Sequence, residues 1–137
     1  MPTEDESILL QGPGRWNEHA RRRRAQGPFR PDLRKAMLHG ADLQGAELAG
    51  ADFTGAVLTE AYLISADLRD ADLEGADLCE AYLILAELNG CRLVGANLDG
   101  ADLSGADLTG AELDPSFDRS SVISDYLTIW PSERSSS

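Results

Sequence analysis

The stretch ADLRDADLEGADLCEAYLILAEL, Ala66 to Leu88, decides the fold. Leu stands at every fifth position, Ala stands two residues before each Leu, and an acidic residue or Tyr lies between them. The same beat runs outward in both directions. Counting by fives from Leu33 to Leu113 gives seventeen positions, all Leu except Phe53, and the residue two before each is Ala except at Pro31 and Cys91. Gly closes ten of the seventeen units. A period of five fits neither regular element. In a helix of 3.6 residues per turn every fifth residue comes round by about 140°, so the leucines would encircle the axis. On a plain strand five is odd, and successive leucines would point to opposite faces. The period therefore requires a bend once per unit, with Leu and the Ala before it both turned inward. Gly at the end of a unit supplies the positive φ that a tight turn needs.

Tandem A(D/N)LXX units of this kind resemble the pentapeptide-repeat proteins, over about residues 31–115. The resemblance implies an all-β solenoid, a right-handed quadrilateral β-helix in which four pentapeptides form the sides of one coil. Seventeen units make about four coils, roughly 20 Å tall at a strand spacing of 4.8 Å. Residues twenty apart then stack in columns, and the leucine column is the core. Cys91 takes an Ala slot and reads as a packed core thiol; Cys79 follows its Leu and points outward, so a bond between the two is not expected.

Solenoids need covered ends, and short helical or irregular caps are expected on both sides. Residues 1–30 form an N-terminal segment in which RWNEHARRRRAQGP predicts a basic helix from about Trp16 to Ala25, with Arg21–Arg24 docked on the acidic prism or on helix C-terminal carbonyls. Residues 116–137 predict an amphipathic helix in SSVISDYLTIWP, with Val122, Tyr126 and Trp130 at four-residue spacing beside Ile123 and Leu127, started near Ser120 or Ser121 and stopped by Pro131. That helix either caps the last coil or joins two molecules. The tail SERSSS is expected to be disordered.

The chain carries 24 acidic and 12 basic residues, a net charge of −12. From Leu33 to Leu113 there are 15 acids and four bases, whereas residues 1–32 hold five acids and six bases. Such a balance disfavours direct contact with nucleic acid or an anionic membrane and favours basic protein partners. No apolar run approaches a membrane span or signal core, and two cysteines make no disulfide framework. A cytoplasmic location is the expectation.

Nothing in the spacing points to catalysis. His19 and His39 stand in neither metal-ligand nor triad spacing and are expected on the solvated surface. Carboxylates are abundant, but a convex prism offers no cleft in which two would differ in environment. No metal and no cofactor are expected, and the chain reads as non-enzymatic.

Two surface features remain. Acids stack on two sides: Glu47, Asp67, Asp70, Glu87 and Asp107 on one, and Asp52, Asp72, Glu74 and Glu112, with Asp114, on the next, interrupted by Arg69 and Arg92. Some pentapeptide-repeat proteins are gyrase-binding mimics of duplex DNA that protect the enzyme from quinolones, so the resemblance implies a DNA-mimic reading. Against it, the repeat pattern itself calls for an acid or Asn before Leu. The second feature is the repeated AYLI. Tyr62 stacks under Tyr82 and Ile64 under Ile84, with Leu85 beside them, forming one exposed apolar patch with polar slots above and below. Val57 and Met37 extend it round a corner. Contiguous patches rimmed by polar groups mark contacts. Three occupants are open: the protein's own termini, a second copy or partner protein, or none, the ladder simply favouring β structure. The functional expectation is an interaction or scaffold protein engaging a partner, or itself as a homodimer, through the Tyr/Ile face or the C-terminal helix. The alternative is an acidic DNA mimic that binds a DNA-processing enzyme such as gyrase.

Overall fold

A computed structural model describes residues 2–132. The repeats build it one turn at a time. In each unit the amide of Ala closes on the carbonyl of the preceding Leu, as from Ala36 N to Leu33 O at 3.1 Å and Ala66 N to Leu63 O at 3.1 Å. The residue between them that ends the unit has positive φ, as a type II turn requires. This holds at every fifth position from 35 to 110, where ten glycines stand with Lys35, Glu60, Ser65, Asp70, Glu80 and Leu85.

Between turns the chain runs straight for one bridge only. Parallel bridges join Asp32 to Asp52, Met37 to Val57, Asp42 to Tyr62 and Glu47 to Asp67, and each recurs twenty residues on. Leu33 N donates to Asp52 O at 2.8 Å and Asp52 N donates to Pro31 O at 2.9 Å, so each rung hangs from its neighbours through alternate amides. Among the described residues no strand is longer than a bridge. Four columns of outward side chains result. The first face carries Asp32, Asp52, Asp72, Arg92 and Glu112, and the second Met37, Val57, Asp77 and Asn97. The third carries Asp42, Tyr62, Tyr82, Asp102 and Ile123; the fourth carries Glu47, Asp67, Glu87, Asp107 and Ile129.

The inward leucines from Leu33 to Leu108, Phe53 and most of the alanines are sealed from solvent, and Leu113 at the top is partly buried. Each buried Leu contributes about 1.5–3 kcal/mol relative to exposure, which makes this column the main source of stability. Cys91 sits among them fully buried, its Sγ donating to Leu68 O at 3.3 Å.

The lower end is closed by two helices, α1 (Glu4–Leu9) and α2 (Pro13–Ala25). The expected basic helix therefore begins three residues earlier, at a proline suited to the first helical turn, and a further helix precedes it, started by Thr3 as N-cap. Leu9, Trp16 and Ala20 are buried against the first coil. Their polar neighbours satisfy rung amides that have no coil beneath them. Asp5 Oδ2 accepts from Asp32 N, Glu6 Oε1 from Met37 N (both 2.8 Å) and Asn17 Oδ1 from Glu47 N (2.7 Å). Trp16 Nε1 donates to Glu47 O at 2.8 Å and Arg24 to Ala49 O at 3.1 Å. His19 belongs to this plug rather than to the solvated surface: it packs between Trp16 and Phe29, with Nε2 at 3.3 Å from Asp5 Oδ1.

The upper end corrects the expected C-terminal helix. Val122, Ile123, Tyr126, Leu127 and Trp130 lie on extended chain and turns after a single 3₁₀ turn, Arg119–Ser121. Ile123 N donates to Ala101 O at 2.8 Å and Ile123 O accepts from Leu103 N at 2.7 Å; Ile129 likewise engages Ala106 O and Leu108 N. The segment thus adds rungs to the third and fourth faces. The physical reason is the open edge below it, whose amides and carbonyls need partners, combined with β-branched Val122, Ile123, Thr128 and Ile129 that suit a strand. Spacing by four fitted either outcome. Trp130 packs at a tilt 5.9 Å from Phe117 beneath the Arg119 guanidinium, half-buried against the core. The tail expected to be disordered lies, from Glu133 onward, outside the described residues.

Candidate functional site

The third face differs from the other three in what it exposes. The Tyr62 and Tyr82 rings stack at 4.9 Å between centroids and 6° between planes, a separation set by the rung spacing of the ladder. Tyr62 is 42% and Tyr82 38% exposed. Ile64 and Ile84 are half-buried beside them, and Leu85 is exposed. Leu85 also has φ of 60°, the one bulky apolar side chain among the left-handed turn positions. That conformation costs a non-glycine residue on the order of 1–3 kcal/mol, and ten sister units avoid it with Gly. Two storeys up, Ile123 and Leu127 are exposed as well.

Among the described residues neither terminus covers this patch. The N-terminal plug reaches the first, second and fourth faces through Asp32, Met37 and Glu47. Among the described residues nothing caps the corresponding amide of Asp42. The C-terminal segment joins the third face only above Asp102, at Ile123.

The acids sort differently from their sequence columns. On the first face Arg92 reaches Asp72, Glu74 and Glu112 at 3.0, 3.2 and 3.5 Å, and Arg30 lies 3.7 Å from Asp52 and 3.8 Å from Asp72. On the fourth, Arg69 forks onto Asp67 at 2.8 and 2.7 Å with Glu87 at 3.7 Å, and Arg21 of α2 meets Glu47 at 3.0 Å. The Arg69 guanidinium holds the Asp67 carboxyl below its ordinary range. Asp107 is lowered too, by the Thr109 hydroxyl 2.6 Å away, and Asp70 makes no ion pair among the described residues. The arginine run therefore docks on the acidic prism as expected for Arg21 and Arg24, whereas Arg22 pairs with Glu18 and Arg23 lies over Phe29.

Charge left unpaired gathers elsewhere. Among the described residues no Arg or Lys lies within 4.0 Å of Asp42 or Asp102, at the two ends of the tyrosine pair, or of Glu80 and Asp99 at the corner beside it. Glu60, on the same corner, lies 3.4 Å from His39.

Chemistry finds little purchase. Among the described residues no group of three His, Cys, Asp or Glu side chains could hold a metal. A hollow of about 220 Å³ lies between α1 and α2, and another of about 520 Å³ is lined by Arg21, Arg24, Glu47, Asp67 and Arg69, of which Arg21 pairs with Glu47, Arg69 with Asp67, and Arg24 with the Ala49 carbonyl. Desolvation pushes the Cys91 thiol up to about 12; it also raises Cys79, with the surrounding acids adding to it. Both thiols are poor nucleophiles. No helix among the described residues is long and apolar enough to cross a membrane.

Known proteins agree with the repeat geometry. The family profile for pentapeptide repeats (8 copies) matches residues 36–75, 46–83 and 86–114. The chain belongs to the pentapeptide-repeat family. It is similar to alr5209, a pentapeptide repeat protein from Nostoc Pcc 7120, at 35% identity and a TM-score of 0.62 over 75% of this chain and 86% of that one. Rfr23, a pentapeptide repeat protein from the cyanobacterium Cyanothece 51142, matches at 35% identity and a TM-score of 0.37, over 66% of this chain and 64% of its own. QnrB1, a plasmid-mediated fluoroquinolone resistance protein, matches in a trypsin-treated variant form at 21% identity and a TM-score of 0.38, over 74% of this chain and 78% of that one. No curated protein sequence matches this pentapeptide-repeat chain. Proteins of the family form right-handed quadrilateral β-helices, and the twenty-residue parallel bridges here follow that plan.

Proposed function

We propose that this pentapeptide-repeat protein is a non-enzymatic, cytoplasmic interaction module. Its stack of about four coils, roughly 20 Å tall, serves to present flat faces, and the third face engages a protein partner or a second copy through Tyr62, Ile64, Tyr82, Ile84 and Leu85. The observation that carries this reading is the stacked, exposed tyrosine pair, which neither terminus covers among the described residues. Supporting it is Leu85, a strained and exposed apolar residue in a slot where Gly serves the turn better. Strain of this kind gathers at functional positions.

The DNA-mimic alternative is weakened by the arginines. Duplex DNA presents an unbroken line of phosphates, whereas Arg21, Arg30, Arg69 and Arg92 pair with Glu47, Asp52, Asp67, Asp72, Glu74, Glu87 and Glu112, most of the acids in the two acidic columns.

The test uses Tyr62→Ser with Tyr82→Ser beside a control on the second face, Asp77→Ser with Asn97→Ser. Light scattering after size exclusion reads self-association, and quantitative affinity capture reads partners. The tyrosine variant is expected to lose the dimer or the captured partner and the control to keep it. Identical behaviour of both variants and the wild type removes the reading.

A further inference from the structure

We infer that the partner of the third face, on the reading just proposed, is a basic polypeptide segment that lays two arginine side chains against the outer faces of the Tyr62–Tyr82 pair. The stacked rings hide their inner faces from each other and turn their outer faces toward the storeys below and above. Those storeys carry Asp42 and Asp102, the bridge partners of Tyr62 and Tyr82. Asp42 Oδ1 accepts from Gln44 N at 3.2 Å, and Asp102 Oδ1 accepts from Ser104 N and Oγ at 3.0 and 2.6 Å. Among the described residues the Oδ2 of each carboxylate has no partner. Each end of the pair is thus an aromatic face beside an uncompensated carboxylate, with Glu60, Glu80 and Asp99 along the adjoining corner.

Guanidinium suits both parts of such a half-site, since it stacks on an aromatic face and bonds a carboxylate with its edge. The protein uses this stacking itself, with Arg23 at 4.6 Å from the Phe29 centroid and Arg119 at 4.5 Å from that of Trp130. Placed at those distances outside rings 4.9 Å apart, two guanidinium groups stand about 14 Å from one another. An extended chain rises about 3.3 Å per residue, so side chains at i and i+4, on the same side of the strand, are about 13 Å apart. The charge pattern excludes an acidic occupant for the same reason. A second copy of this chain would bring its own unpaired carboxylates against these.

The probe is the acetylated, amidated heptapeptide Thr-Arg-Thr-Ser-Thr-Arg-Thr, titrated into ¹⁵N-labelled full-length protein and followed by NMR. Controls are a heptapeptide of the same composition with its arginines adjacent and one with Glu in place of Arg. Shifts confined to Asp42, Tyr62, Tyr82, Asp102 and Leu85 are expected, with affinity about tenfold lower for Tyr62→Ser plus Tyr82→Ser and several-fold lower for Asp42→Asn plus Asp102→Asn. The Asn variants keep the turn-capping oxygen, so the fold is spared. Equal affinity for both arginine spacings, or shifts spread over all faces, would show diffuse polyelectrolyte attraction and overturn the inference. Absence of binding also overturns it, while the interaction reading survives if Tyr62→Ser plus Tyr82→Ser still abolishes the dimer or captured partner. If that variant retains both, the interaction reading falls on its own.

Discussion

At the scale of single residues, three slots of the pentapeptide have three different physical jobs, and each fails in its own way. Leu63 is fully buried in the column, so Leu63→Ala is expected to cost about 2–5 kcal/mol in chemical denaturation. Gly75 has φ of 67° with nothing within 4 Å of where a side chain would begin. Gly75→Val therefore tests conformation alone, and a loss of about 1–3 kcal/mol is expected. Leu85 occupies the same turn slot with the opposite logic. Leu85→Gly relieves a left-handed side chain but frees the unfolded chain, two effects of about 1 kcal/mol and opposite sign. Its melting temperature should stay within a few degrees of wild type while partner binding through the third face weakens. A large drop in melting temperature would make Leu85 a structural residue instead. The Leu, Ala and Gly roles were legible in the sequence because a strict period repeats them. The excess apolarity at Tyr62, Tyr82 and Leu85 was legible as a departure from that period.

At the scale of elements, the caps are held by side chains standing in for a missing coil. Removing Asn17 Oδ1 leaves the Glu47 amide without its partner, and Asn17→Ala should cost about 1–3 kcal/mol. Acid should act through the arginine–carboxylate forks. Asp67 and Asp32 are held below the ordinary carboxylate value of 3.8 by Arg69 and Arg34. A lowered folded pKa means their contribution is full above that value and is lost as pH falls through the folded one. Stability should therefore drop below about pH 4 and stay flat from there to neutrality as far as these groups are concerned, and Arg69→Gln should shrink the acid limb in urea melts across pH. The caps were also where sequence reading was least secure. α2 was legible from its arginines and its Gly-Pro stop. α1 was not, because its acids face rung amides of Asp32 and Met37 that sequence distance conceals. The C-terminal segment was misread because spacing by four serves a helix as well as a strand interrupted by a turn. Only the open edge beneath it decides between them.

At the scale of the whole molecule, the fold separates its charge. Arginines from α2 and from the repeats themselves settle on the first and fourth faces, where Asp70 and Asp107 stay without an ion pair among the described residues, and no arginine or lysine reaches the acids that flank the tyrosines of the third. Acid columns could be counted in the sequence, but their neutralisation could not, since Arg21 and Glu47 are twenty-six residues apart and meet only through the docking of α2. Supercoiling by gyrase is expected to be unchanged by this protein, with or without a quinolone; relief of inhibition would revive the DNA-mimic alternative. The most direct test of the interaction face is site-specific photo-crosslinking in cells from benzoylphenylalanine at position 82, compared with position 77 one face away. The account predicts discrete adducts from position 82 that are absent from position 77. Adducts of equal yield at both positions, or none at 82, would contradict it.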